Sequence, residues 1–314
     1  MRTVFLFSGQ GSQYYQMGLE LYRGNVIFRR SMDQLDALAL LLGGRSILAE
    51  LYGTKPASQR FDCLRTASAA IFMVEVSLAD SMMAAGLMPD LTLGVSLGTW
   101  AAAVVSGCIE RSVAMAMVMH QARVFEQYCA PGGMIAVLGD PALYDDPALS
   151  EHAALAGINF NGSFVLAAPA AALAGIEAYL RDRACPFQRL AVGYPFHSHW
   201  IDPARAPLAA ATDALPVAGP TRLPLACCAA GAVLHELPDG HFWDVARQPI
   251  RLRDTIAALE HEGPFHYVDA GPSSTLAGTL KYALAPQSRS SSYPVMSPFG
   301  DELANLTRVS ALRP

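Results

Sequence analysis

An α/β fold, with a parallel sheet and a smaller inserted unit, is what this sequence predicts. Three observations predict it. Short apolar runs alternate with longer helical patterns over the first 125 residues or so. After Pro131-Gly132-Gly133 the rhythm changes to shorter segments, and from His197 onward the first rhythm returns.

In chain order, Thr3–Phe7 reads as a strand that runs into the Gly-rich turn Ser8–Gln13. Thr66–Ala85 is rich in Ala, Met and Leu and reads as a helix. Leu91–Gly94 is a strand that stops at glycine, followed by the small-residue helix Leu97–Ser106 and a further helix, Ser112–Gln127. In the middle region, Met134–Leu138 reads as a strand, Asp145–Ala156 as a helix and Asn159–Ala168 as a strand. Ala170–Ala184 is a helix and Phe187–Val192 a last strand. This β-α-β-α-β order resembles a ferredoxin-like insert. Phe265–Asp269 is a strand, Thr275–Leu284 a helix, and the polar stretch Ser288–Ser292 a loop.

Composition narrows the function. At 314 residues the chain can bury a large core, and 52% hydrophobic against 16% charged residues marks it as globular rather than disordered. A net charge of −5 with no Lys/Arg-rich run gives nucleic-acid binding no electrostatic support. The apolar stretches Ala67–Met88 and Leu91–Met119 are broken by Glu75, Asp80, Glu110 and Arg111, so no membrane span is expected. The start of the chain lacks the pattern of a signal peptide, and none of the six cysteines falls in a CxxC pair. The expectation is a cytoplasmic protein with reduced thiols and no metal site.

Gly94-Val95-Ser96-Leu97-Gly98 fits G-x-S-x-G at a change from strand to helix. Such a turn strains the serine backbone and leaves no room for side chains beside it. The hydroxyl then stands at the strand end, and the Leu97 N–H can point at a developing oxyanion. Taken alone, the motif also describes an ordinary strand–helix turn. The opening turn, Phe7-Ser8-Gly9-Gln10-Gly11-Ser12-Gln13, is neither a dinucleotide fingerprint nor a Walker loop. It can bring the Gln10 N–H beside that of Leu97. Tyr194-Pro195-Phe196-His197-Ser198-His199 follows a strand end and offers two histidines as general base, between which the residues alone do not choose. Asp269-Ala270-Gly271-Pro272-Ser273 is a second strand end with a tight turn.

Together these segments resemble the malonyl-CoA:acyl-carrier-protein transacylase superfamily over about residues 1 to 285. The family's GQGSQ is matched by Gly9–Gln13 and its GHSLGE by Gly94–Thr99. Its histidine before S-x-x-x is matched by His197, its N-x-N by Asn159-Phe160-Asn161, and its late turn by Asp269–Pro272. The resemblance implies an α/β-hydrolase-like large domain, residues 1–125 and 197–314, and a ferredoxin-like subdomain, residues 126–196. It implies Ser96 as nucleophile, His197 rather than His199 as base, and an oxyanion hole from Gln10 and Leu97. In that family a carbonyl before a proline orients the histidine, which here falls on Gln248 in Arg247-Gln248-Pro249. Asn159 and Asn161 become candidates for the substrate cleft.

The departures concern selectivity. Malonyl-type members hold the substrate carboxylate with an arginine 25 residues past the serine, and Gln121 stands there. Losing a bidentate guanidinium disfavours a charged acyl group by about 2–5 kcal/mol. Arg123, two residues on, falls about 200° further around a helix. Val95 and Thr99 replace the usual His and Glu of the elbow, and Ser68 replaces a usual Gln. Gln121, Phe196, Val95 and Ser68 are the expected determinants of acyl selectivity. The pattern is similar to that of the stand-alone acyl hydrolases of trans-acyltransferase polyketide synthase systems. The activity this implies is removal of short uncharged acyl groups from acyl carrier protein, in polyketide synthase editing. The alternative is an acyltransferase moving acetyl or malonyl units between CoA or carrier proteins. The substrate rides on phosphopantetheine, so no cofactor of the chain's own is expected. The expected partners are carrier-protein domains of a polyketide synthase, and the expected state is a monomer. A non-catalytic docking protein is disfavoured by the presence of both Ser96 and His197.

Overall fold

The computed structural model describes residues 1–212 and 220–312. Strand β1 (Arg2–Phe7) lies inside the larger sheet because its side chains alternate between two apolar layers. Phe5 and Phe7 pack on one face with Phe72 and Trp100. Val4 and Leu6 pack on the other with Leu93, Ile256 and Leu276. The sheet adds β2 (Leu91–Gly94), β7 (Pro220–Cys227), β9 (Phe265–Asp269) and β10 (Ser291–Pro294), with β8 (Ala232–Glu236) at one edge. Its order is β10-β9-β1-β2-β7-β8, parallel throughout except for the antiparallel β7–β8 pair.

The helix Leu64–Ala84 covers the Phe5–Phe7 face. Among the described residues it is the one helix long and apolar enough to cross a membrane, yet 83% of its apolar window is buried inside the fold. Three helices precede it, Leu19–Gly24, Val26–Gly43 and Ile47–Leu51, in a region that the periodicity above leaves unassigned. The Asn25 side chain caps the longest of them by accepting from the Ile27 and Phe28 N–H groups.

The smaller sheet is antiparallel and consists of β3 (Gly132–Leu138), β4 (Ala154–Phe160), β5 (Ser163–Pro169) and β6 (Phe187–Arg189), in the order β4-β5-β3-β6. The helix Ala170–Asp182 joins β5 to β6. This is a ferredoxin-like arrangement whose first helix has shrunk to single turns, Pro141–Asp145 and Pro147–Ser150.

Four sequence expectations change here. Asp145–Ala156 is not one helix: Asp140 and Asp146 each cap a separate short turn, and the chain then pairs as β4. Asn159–Ala168 is not one strand. Asn161-Gly162 is the two-residue turn of the β4–β5 hairpin, a strong local signal that the apolar run on either side conceals. Ser288–Ser292 is not all loop, since β10 begins at Ser291 and finishes the large sheet. The last middle strand is also shorter than expected, ending at Arg189.

Main chain ties the small sheet to the segment before the helix Leu252–Glu262, which Arg251 N–H to Cys228 O at 2.8 Å joins to the end of β7. Gly157 of β4 bridges Ile250, with Ile158 N–H to Ile250 O at 2.9 Å and Ile250 N–H to Ala156 O at 2.8 Å. A Cβ on Gly157 would lie 2.7 Å from Ile250 Cβ and 2.8 Å from its carbonyl oxygen, so the bridge needs glycine. Gly157→Val should therefore destabilise the fold by about 1–3 kcal/mol, through backbone that must shift. An unchanged urea midpoint would contradict this.

Candidate active site

Ser96 follows β2 and has φ 54°, a left-handed value that a non-glycine residue adopts only when its surroundings impose it. The surroundings do so at Gly98, where a Cβ would meet the Phe7 and Ser8 carbonyl oxygens at 2.3 and 2.4 Å. The elbow is thus pressed against the end of β1, and the helix Gly98–Val105 starts directly behind it. Leu97 sits at that helix start, where backbone N–H groups have no partner within the helix.

His197 also has a left-handed φ, 60°. Its N–H donates to Ala246 O at 2.9 Å, and its ring lies between two partners. Nδ1 is 2.9 Å from the Gln248 carbonyl oxygen and Nε2 is 2.9 Å from Ser96 Oγ. A carbonyl only accepts, so Nδ1 carries the proton and Nε2 offers its lone pair to the Ser96 hydroxyl. Gln248 has φ −76° and ψ 152°, the extended conformation that a following proline favours, so Pro249 helps to aim the carbonyl. Burial pushes the imidazole down to about 4, against the opposing effect of the Gln248 bond. His197 is therefore neutral at pH 7. His199 is exposed, its ring against Trp200.

The Ser8–Gln13 turn is anchored from below. The Ser8 N–H and hydroxyl both donate to Glu75 Oε1, at 2.6 and 3.0 Å. Burial pushes the Glu75 carboxyl well above the usual carboxylate range, with nearby Asp269 adding to the effect. Asp269 accepts from the Gly271 and Ala277 N–H groups at 2.8 and 2.7 Å, and burial pushes it up to about 6.

A cavity of about 30 Å³ opens beside Ser96, lined by Gln10, Leu97, Trp100, Gln121, Phe125, Phe196, Val245 and Ala246. Gln10, Gln121 and Phe196 thus gather around Ser96. Ser68 does not line the cavity, but its hydroxyl accepts from Gln10 Nε2 at 3.0 Å. Val95 lies elsewhere. It continues the alternation of β2 onto the opposite sheet face and packs with Val4, Leu93 and Ile256. Asn159 and Asn161 do not line the cavity either. Asn159 Nδ2 donates to Ser163 Oγ across the hairpin at 3.3 Å, and Asn161 stands in the turn, 3.5 Å from Arg253 Nη1. Arg123 is exposed, on the side of its helix away from the buried Gln121.

The sequence reading missed Trp100, Phe125, Val245 and Ala246. Helical spacing carries a signal for one of them. Phe125 is four residues past Gln121 on one helix, so it shares a face with a residue already singled out. Among the described residues, no group of three His, Cys, Asp or Glu side chains is placed to hold a metal ion.

This fold and this pair of side chains define an acyl-transferring class of protein. The chain belongs to the acyl transferase domain family, which it matches over residues 4–310. It is 40% identical over 308 residues to the polyketide biosynthesis acyltransferase homolog BaeD of Bacillus velezensis, spanning 98% of this chain and 95% of that protein. It is 36% identical over 312 residues to the polyketide biosynthesis acyltransferase homolog PksD of Bacillus subtilis, spanning 99% and 96%. Among solved structures, a loading acyltransferase from the avermectin modular polyketide synthase aligns with a TM-score of 0.87 at 26% identity, over 99% of this chain and 100% of that one.

A hydroxyl bonded to a neutral imidazole can add to a carbonyl carbon and pass its proton to Nε2. The low imidazole pKa sets where this fails. Thiol release from an acyl thioester, followed as kcat/KM, should be level across neutral pH and fall only as pH drops toward about 4. An acid limb near the ordinary imidazole value of about 6.5 would contradict the burial argument.

Proposed function

We propose that this chain is an acyl hydrolase that removes short uncharged acyl groups from the phosphopantetheine thioesters of acyl carrier proteins. The observation that carries the reading is a Ser–His pair opening onto a small cavity with no charged side chain in its lining. Gln121 stands at its wall, and Arg123 points to solvent.

Ser96 Oγ attacks the thioester carbon while His197 Nε2 takes its proton. The Gln10 and Leu97 N–H groups stabilise the oxyanion. The intermediate collapses by breaking the carbon–sulfur bond, and His197 returns the proton to the leaving thiol. Water then attacks the Ser96 ester, giving up a proton to His197, and the carboxylic acid departs as the Ser96 hydroxyl is restored. Among the described residues His197 has no carboxylate partner, and the Gln248 carbonyl dipole holds the imidazolium that forms.

Two further points support water as the acceptor and a polyketide synthase as the setting. The departures at residues 95, 99 and 121 follow the pattern of the stand-alone hydrolases that the sequence resembles. BaeD and PksD are named for polyketide biosynthesis, and this chain spans nearly all of each. A cytoplasmic setting fits the six free cysteines. Transfer to a second carrier shares the first half-reaction and is the competing reading.

Acetyl-, butyryl- and malonyl-carrier proteins, each incubated with the chain and a second unloaded carrier, separate the two. Free acid should be the main product, the uncharged groups should react faster than malonyl, and Ser96→Ala should form no acyl-enzyme. Transfer of labelled acetyl between carriers faster than acetate release would overturn the hydrolase reading in favour of the transferase.

Gln121→Arg should shift selectivity toward malonyl relative to acetyl by about 1–3 kcal/mol, because a cation then faces the carboxylate. The substitution also removes the acceptor of the Trp100 indole N–H, but both substrates bear that cost, so the ratio isolates the charge. The check is the ratio of kcat/KM for the two thioesters, and an unchanged ratio would contradict the placement of the acyl end at Gln121.

A further inference from the structure

We propose that Trp100 is the residue that sets acyl-chain length at this site, a fixed wall of the cavity beside Ser96 that favours the shortest acyl groups. The inference rests on the reading of Ser96 as the residue that becomes acylated, and it holds whether water or a carrier thiol completes the reaction.

Trp100 and Ser96 line the same cavity, Trp100 from the first turn of the helix Gly98–Val105 that starts behind the serine elbow. The indole is held from two sides. Its ring stacks on Phe242 with centroids 3.5 Å apart and planes 6° from parallel. Its Nε1–H donates to Gln121 Oε1 at 3.0 Å. Phe242 belongs to the helix His241–Arg247 and Gln121 to the helix Arg111–Tyr128, so three helices fix one ring. Trp100 is 2% exposed, and a chain growing from Ser96 cannot displace it without breaking both contacts.

The cavity beside Ser96 is small, about 30 Å³ of space for the centre of a water-sized sphere, enough for only a few waters. With the ring fixed in its wall, the methyl end of a short acyl group fits more readily than a longer alkyl chain. The indole also orients Gln121. Trp offers only a donor, so the Gln121 oxygen must face it, and the amide NH2 is left for the rest of the cavity. The closed end therefore presents donors without a cation, which suits a short neutral acyl group.

The test uses acetyl, butyryl and hexanoyl pantetheine thioesters with the full chain. It reads the Ser96 acyl adduct by intact mass and the rate of thiol release. The wild-type chain should prefer acetyl over hexanoyl by about tenfold or more, in line with the discrimination a few methylenes carry in a tight pocket. Trp100→Ala should reverse or erase that preference. Trp100→Phe keeps a ring on Phe242 and so guards against a variant that fails to fold. It should raise the rate with butyryl relative to acetyl while still rejecting hexanoyl. Equal rates at all lengths in the wild-type chain, or a folded Trp100→Phe with the wild-type ratios, would overturn the proposal. Absence of any Ser96 adduct would instead sink the acyl-enzyme reading, and this inference with it.

Discussion

The bond from His197 Nδ1 to the Gln248 carbonyl is the constraint on which the site depends. It decides the tautomer, and the tautomer decides whether Nε2 can accept the Ser96 proton. A carbonyl dipole does this with less stabilisation of the imidazolium than a carboxylate would give. Burial leaves His197 neutral and well below its ordinary pKa, against the raising effect of this bond. Proton acceptance must then be helped by what surrounds the reacting atoms. The apolar wall of Phe125 and Phe196 and the 2.9 Å separation of Ser96 Oγ from Nε2 are the features beside the reacting atoms.

Holding those groups in place consumes much of the fold. Ser96 and His197 both have left-handed backbones, each a cost of about 1–3 kcal/mol that the packed core must offset. Glu75 and Asp269 are buried acids whose oxygens receive backbone N–H bonds from Ser8 after β1, from Gly271 after β9 and from Ala277 in the first turn of the helix Thr275–Ala283. Polar groups buried at this depth are tolerated because they terminate strands whose last amides would otherwise be unpaired.

Much of this was legible in the sequence, for identifiable reasons. The large sheet was readable because parallel strands buried on both faces are continuous apolar runs, as in Thr3–Phe7 and Phe265–Asp269. The small sheet was read less well. Alanine-rich 145–156 has helical propensity, but pairing with β5 overrides it from Ala154, and only the single turn Pro147–Ser150 remains. At the site, the residues with chemistry stood out by type and neighbours, as Ser96 did between two glycines. Val95 was misplaced because adjacent residues in a strand point to opposite faces, and nearness in sequence was taken for nearness to the cavity. Trp100 was passed over because a tryptophan inside an apolar helix looks like any core residue. Only its bond to Gln121 distinguishes it. The Asn159–Asn161 pair looked functional and proves to shape a hairpin.

The short run from Gln248 to Ile250 carries two couplings through main-chain atoms alone. One orients the histidine, and the other fastens β4 to the large sheet. Neither depends on which side chains occupy 248 and 250, so residue identity there is free to drift while the spacing is not. Inserting or removing a single residue would move either the carbonyl or the bridge out of position, since the two would no longer fall in step. The segment works as a ruler two residues long, written in chain path rather than in amino-acid type. Substitution is therefore the wrong lens for seeing its importance, and length is the right one.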